Sequence, residues 1–156
     1  LAREGDTGLP DEDFDAMEVL HDEIEKARPL LQGKPVQLEL RELAPLRLRA
    51  PERVFSVLVG NLLRNACNYT EAGSITVTVA GDSVAIADTG VGMSTEELAR
   101  AFDPFFRGGD QRREGQGIGL SIVRRLSERY GWPVKLESKA GTGTTATISF
   151  PSVIPA

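Results

Sequence analysis

The sequence predicts an α+β fold in which a mixed sheet carries helices on one face. Three observations lead there. Apolar runs of period two come in pairs joined by short turns, which excludes a doubly wound parallel sheet, because that needs a helix between successive strands. Stretches of helical period separate these pairs. At 156 residues, 40% hydrophobic and 26% charged, the chain suits one soluble globular domain able to bury a real core.

The elements follow in order. Residues 1–13, LAREGDTGLPDED, are polar and turn-rich and read as a linker or frayed end. A helix is expected over 14–31, where Phe14, Met17, His21, Ile24 and Leu31 recur at helical spacing, and Gly33 and Pro35 stop it. PVQLELRE and residues 46–49 alternate like strands. Pro51 suits the first turn of a helix running from 52 to 69. SITVTVA (74–80) and SVAIAD (83–88) read as strands, with Ala80, Gly81 and Asp82 making a hairpin turn between them. Ser94 and Glu97 form a capping box that opens a short helix. Residues 103–117, rich in Gly, Arg and Asp, read as a mobile loop. A helix returns at 118–130 and stops at Gly131, and VKLES and TTATISF supply the closing strands. No internal repeat is visible.

Net charge is −5 with the acidic residues dispersed, which argues against a nucleic-acid surface built on bulk charge. Cys67 is the single cysteine, so no internal disulfide or cysteine-based metal cluster can form, and it reads as a small packing residue. No apolar run reaches the ~20 residues that cross a bilayer. The first residue is Leu1, and the chain is expected to be a fragment of a longer protein.

Candidate chemistry starts with NLLRNACNYT, 61–70. At about 100° per residue, Asn61, Asn65 and Asn68 share a sector of about 60° on the 52–69 helix. Leu62, Ala66 and Tyr69 lie beside them, and Arg53, Ser56, Gly60, Arg64 and Cys67 are expected on the solvent side. The carboxamides either serve a ligand or hydrogen-bond neighbouring backbone. DTGVGM, 88–93, ends a strand in an acid and then alternates glycines. Asp88 is placed to accept a hydrogen bond such as an exocyclic adenine amine would donate, and the glycines allow tight turns and close approach of a flat ligand. The plain alternative is an Asp-Thr-Gly turn. GQGIGL, 115–120, places GxGxG directly before a helix, where backbone N–H groups can meet phosphate. Arg107 and Arg112 in the loop carry cations that reach phosphate oxygens or are solvated. GTGTTATISF, 141–150, is a glycine turn entering a strand.

Taken in this order, the motifs closely resemble the catalytic and ATP-binding domain of bacterial sensor histidine kinases, within the superfamily that includes DNA gyrase, heat-shock ATPase chaperones and mismatch-repair ATPases. NLLRNACNYT resembles the N box, DTGVGM the G1 box, FDPFFRG the F box, GQGIGL the G2 box and GTGTT the last glycine motif. The resemblance spans residues 14–151, taken as the catalytic domain, with 152–156 as a tail; LAR at 1–3 resembles the end of a preceding dimerisation helix.

That resemblance implies a two-layer α/β sandwich with a mostly antiparallel sheet, and ATP lying between the N-box helix and a mobile lid over 94–117. It implies that Asn65 gives its oxygen to Mg²⁺, that Asn61 and Asn68 face phosphates or their water, and that Tyr69 packs near the nucleotide. Asp88 would hold the adenine amine, with Gly90, Gly92 and Met93 around the base and Thr144 lining its pocket. Phe106 of the F box, together with Gly115, Gln116, Gly117, Ile118, Gly119 and Leu120 of the G2 box, would form the lid's nucleotide contacts. Arg107 and Arg112 would approach the γ-phosphate.

Gyrase-type relatives carry a hydrolytic Glu four residues before the metal-binding Asn. Here Asn61 stands there and cannot take a proton, which favours γ-phosphate transfer to a histidine over hydrolysis. Asn68 departs from the family's usual Lys. His21, the only histidine, is followed by Asp22 as a phosphoacceptor would be, but then by Glu23-Ile24-Glu25 instead of the family's run, and it lies between Met17 and Ile24 as a partly packed helix residue. It is read as a decoy. The acceptor would lie on a separate dimerisation domain, with a response-regulator receiver domain downstream and a homodimeric full-length protein. No nucleic acid or membrane contact is expected of this domain, which would be the cytoplasmic part of an inner-membrane sensor. The rival readings are a Ser/Thr kinase of the anti-sigma-factor type and a nucleotide-sensing domain without catalysis.

Overall fold

The computed structural model describes residues 8–103 and 116–154, and for 116–119 the backbone alone. The elements are β1 (Glu12–Asp15), α1 (Ala16–Ala27) followed by a 3-10 turn (Arg28–Leu31), β2 (Val36–Glu42), β3 (Arg47–Ala50), α2 (Glu52–Tyr69), β4 (Gly73–Ala80), β5 (Ser83–Asp88), α3 (Thr95–Ala99), α4 (Gln116–Tyr130), β6 (Val134–Lys139) and β7 (Gly143–Ser149).

The main sheet has the order β2-β4-β5-β7-β6. β2 runs parallel to β4 and every other pair is antiparallel, so the sheet is mixed and mostly antiparallel, as the hairpin pattern predicts. One face is apolar: Ile75, Val77 and Val79 on β4, Val84 and Ile86 on β5, and Ala146 and Ile148 on β7 are all buried there. The alternate residues, Thr76, Thr78, Ala85, Ala87, Thr145 and Thr147, point the other way and are half-buried. This is the period-two alternation of an antiparallel sheet covered on one side.

α2 is the central covering helix. Val54, Phe55, Leu58, Leu62, Leu63 and Ala66 are buried along it, each large side chain contributing about 1.5–3 kcal/mol by leaving water. The Phe55 ring anchors an aromatic cluster, with centroids 5.5 Å from Phe14, 5.8 Å from Phe150 and 6.3 Å from Trp132.

Several expectations need correction. Phe14 does not start a helix; it lies in β1 opposite Leu48 of β3. The helix begins at Ala16 because Asp15 caps it, its carboxylate accepting the Met17 N–H at 2.9 Å. Glu12 and Asp13, read as the end of a linker, are strand. β3 does not join the main sheet either; it pairs with β1 in a separate two-stranded sheet, and the Ile154 N–H donates to the Arg47 carbonyl from the chain's other end.

The assignment of solvent positions on α2 also fails at two residues. Gly60 and Cys67 are buried, because α1 and the turn after it pack on that side. Glu23 of α1, itself buried, places its Oε1 where a Gly60 Cβ would stand, so glycine lets these two helices approach. His21 is exposed on α1 and not partly packed: the buried line of that helix is Ala16, Val19, Leu20, Glu23, Ile24 and Ala27. α4 begins at Gln116, so Gly117 and Gly119 belong to its first turn and do not precede the helix. Among the described residues, no helix is long and apolar enough to cross a membrane.

Candidate functional site

The core face of the sheet changes character in its last row. Two rows deep, Val79, Val84, Ile148 and Val134 lie side by side, followed by Val77, Ile86, Ala146 and Leu136. The next row across β5, β7 and β6 is Asp88, Thr144 and Ser138, three polar side chains in register beside Ile75. Polar residues at inward strand positions are the exception in a core and need partners.

Asp88 has partners for one oxygen. Its Oδ1 accepts the Gly90 N–H at 2.9 Å and the Thr144 N–H at 3.3 Å. Burial pushes its pKa above the usual carboxylate value, and these two backbone bonds only partly offset that rise. No described residue donates to Oδ2. Ser138 accepts the Met93 N–H at 2.8 Å, lies 2.9 Å from the Gly143 carbonyl and lies 2.7 Å from the Thr144 hydroxyl.

The loop after β5 is held against α2. The Val91 N–H donates to the Tyr69 carbonyl at 3.1 Å, and Val91 in turn accepts the Gly141 N–H at 2.7 Å. The glycines of this loop are required by protein backbone. A Cβ on Gly90 would collide with the Tyr69 carbonyl and crowd the Thr70 hydroxyl. Gly92 has φ +67, the left-handed region that favours glycine, and its Cβ would collide with the Lys139 carbonyl. The Thr70 hydroxyl is buried with no hydrogen-bond partner among the described residues.

On α2, Asn61, Asn65 and Asn68 are all half-buried, bordering the apolar face. The Asn61 amide is engaged within its own helix: Nδ2 donates to the Val57 carbonyl at 2.8 Å, and Oδ1 accepts from Arg64 at 3.0 Å. For Asn61 the backbone-bonding alternative is therefore realised. Asn65 makes no hydrogen bond to any described residue, so its carboxamide oxygen is available to a ligand. The turn beyond Asn68 and Tyr69 is tied down by Lys34, whose ammonium donates to the Cys67 carbonyl at 3.0 Å and pairs with Glu71 at 3.0 Å. A cation at the last carbonyls also suits the helix dipole. Burial pushes the Cys67 thiol up to about 11, so it stays protonated.

These contacts join Tyr69 at the end of α2, the loop with Gly90, Gly92 and Met93, and the Asp88–Thr144 row, with Asn65 and Asn68 lying within the last turn or so of the same helix. Leu120 is buried on α4, which packs against α2. Gln116, Gly117, Ile118 and Gly119 open α4, while Phe106, Arg107, Arg112 and Gly115 lie outside the described residues. Among the described residues no group of three His, Cys, Asp or Glu side chains could hold a metal. A metal here would need the Asn65 oxygen together with oxygens from a ligand.

Sequence reasoning missed Ser138. The signal was available: β6 turns Val134 and Leu136 inward, and the next inward position is a serine.

Residues 51–154 match the family described as histidine kinase-, DNA gyrase B-, and HSP90-like ATPase. The histidine protein kinase DivJ of Caulobacter vibrioides is 34% identical over 151 residues, covering 90% of this chain and 25% of DivJ. The sensor-like histidine kinase SenX3 of Mycobacterium tuberculosis is 33% identical over 130 residues, covering 76% of this chain and 32% of SenX3. The chain thus spans a third or less of these relatives. Full-length ShkA, solved in complex with AMPPNP, superposes with a TM-score of 0.83 at 27% identity, covering 95% of this chain and 32% of ShkA.

Proposed function

Because this chain belongs to the histidine kinase-, DNA gyrase B- and HSP90-like ATPase family, we propose that it is the ATP-binding kinase module of a two-component sensor kinase, passing the γ-phosphate to a histidine on a separate dimerisation domain. The observation that carries this reading is Asp88. Its Oδ1 is saturated by two backbone N–H groups while Oδ2 has no donor among the described residues, at the polar end of an otherwise apolar sheet face. A half-buried carboxylate with one open acceptor suits an exocyclic amine on a flat base.

The residues present fit both ATP and Mg²⁺. Asp88, Thr144 and the loop at Gly90 to Met93 would hold the base. Asn65 would supply a neutral oxygen to Mg²⁺, whose other ligands are then phosphate and water, as a hard octahedral cation prefers. The bound metal would neutralise charge on the transferring phosphoryl group. Asn61 is engaged with Val57 and Arg64 through its amide, and a carboxamide has no basic site that accepts a proton near neutral pH, so it cannot activate water as a base. Catalysis by this module would rest on positioning and charge neutralisation, with Arg107 and Arg112 approaching the γ-phosphate. The relatives named as histidine kinases are longer chains, which leaves room for a separate dimerisation domain; a homodimer and a receiver-domain partner are part of this proposal. The same proposal places the module on the cytoplasmic side of an inner-membrane sensor.

Calorimetric titration with Mg·ATP tests the base site. Wild type is expected to bind and Asp88→Asn to lose binding while keeping its circular dichroism spectrum. Unchanged ATP affinity in the folded variant would remove Asp88 from the site.

A further inference from the structure

Ser138 makes three close polar contacts with a single hydroxyl, and their proton count is fixed. A serine oxygen has one proton to give and two lone pairs to receive with. One lone pair takes the Met93 N–H at 2.8 Å. The Gly143 carbonyl at 2.9 Å can only accept, so it consumes the Ser138 proton. The contact with the Thr144 hydroxyl at 2.7 Å can then be made in one sense alone, with Thr144 donating into the remaining lone pair. All three bonds coexist in that arrangement and in no other. We propose that Ser138 is a positioning residue that takes up the Thr144 proton, leaves that hydroxyl only lone pairs to offer a base, and thereby sets the site's preference for 6-amino over 6-oxo purines.

The consequence lies one strand over. Thr144 stands between Ser138 and Asp88 in the same row, and Asp88 is itself an acceptor with Oδ2 open. The row therefore offers two neighbouring acceptors to a base placed against it. A 6-amino purine brings N–H donors to them. A 6-oxo purine brings a carbonyl oxygen, which meets lone pairs and loses a hydrogen bond. Were Ser138 absent, the Thr144 proton would be free to rotate and donate to that oxygen. The same hydroxyl also ties the Met93 backbone to β6, so it fixes the loop and the proton direction together.

This inference rests on the base-site reading above, and the test separates the two. Affinities for ATP and inosine triphosphate are measured by displacement of a fluorescent nucleotide from wild type, Ser138→Ala, Ser138→Thr and Asp88→Asn. The ATP preference is expected to fall about two- to tenfold in Ser138→Ala, the range that one hydrogen bond carries, and to return in Ser138→Thr. An equal weakening of both nucleotides, or an unchanged ratio in Ser138→Ala with its fold intact, overturns the proposal. If Ser138→Ala fails to fold, Ser138→Cys keeps the volume with a weak acceptor, and a wild-type ratio there overturns it equally. Unchanged ATP affinity in Asp88→Asn would instead overturn the base-site reading itself. In a Thr144→Val background, Ser138→Ala is expected to leave the ratio where Thr144→Val alone puts it.

Discussion

Asp88 and Thr144 are direct neighbours across β5 and β7, and the Thr144 N–H donates to Asp88 Oδ1 at 3.3 Å. With the Gly90 N–H on the same oxygen, Oδ1 serves the protein while Oδ2 receives no donor from the described residues. Burial nevertheless holds the Asp88 pKa above its ordinary value, outweighing the two backbone donors that lower it.

A pH dependence follows from that rise. Between the ordinary carboxylate value and the raised one, the folded chain binds more protons than the unfolded chain, so stability falls as pH climbs through this window. Asp88→Asn has no such titration. Denaturant melts across pH are expected to show the variant gaining on wild type as pH rises through the window. A difference that is flat with pH, or that grows towards acid, would contradict the assignment.

Asn65→Ala removes the open carboxamide without disturbing a hydrogen bond among the described residues. ATP binding with and without Mg²⁺ should then become alike, while the melting temperature moves little. A Mg²⁺-dependent increment of wild-type size would exclude Asn65 as the metal's protein ligand.

Gly92→Ala should destabilise the chain by more than the ~1–2 kcal/mol that left-handed backbone costs a non-glycine residue. The added Cβ also runs into the Lys139 carbonyl, which belongs to backbone and cannot swing away. Urea midpoints measure this, and a wild-type midpoint would mean that the loop does not lie against β6.

Cys67 should resist alkylation in the native state. Its thiol is buried and pushed up to about 11, so almost no thiolate exists near neutral pH. Labelling with iodoacetamide is expected to follow unfolding. Rapid modification of the folded chain would contradict the packing of α1 over α2.

The helix carrying Asn65 and Asn68 was legible in the sequence to the residue, because an 18-residue amphipathic run bounded by Pro51 and a turn has strong local signals. The β4–β5 hairpin was equally plain. β1 was not: EDFD carries one apolar residue, and its strand character comes from pairing with β3, a contact that no local pattern encodes. The second buried side of α2 escaped for a related reason. A helical wheel assumes one covered face, whereas Gly60 and Cys67 lie beneath α1 as the sheet-facing residues lie against β5. At the site, motif spacing pointed to Asp88, Gly90 and Gly92, the family resemblance added Thr144, and Asp88 is bonded to the Gly90 and Thr144 backbone. Ser138 acts through side-chain hydrogen bonds that appear only once β6 and β7 are aligned.

The central claim is that this module transfers phosphate to a histidine outside itself. Its most direct measurement mixes the chain with its parent protein's purified dimerisation domain and γ-labelled Mg·ATP, then assays acid-labile, base-stable phosphate on each component. The account predicts phosphohistidine on the added domain, lost with Asp88→Asn and unchanged with His21→Ala, since His21 is exposed on α1 in a run unlike an acceptor's. Label on His21, or release of free phosphate with none on the added domain, would contradict it.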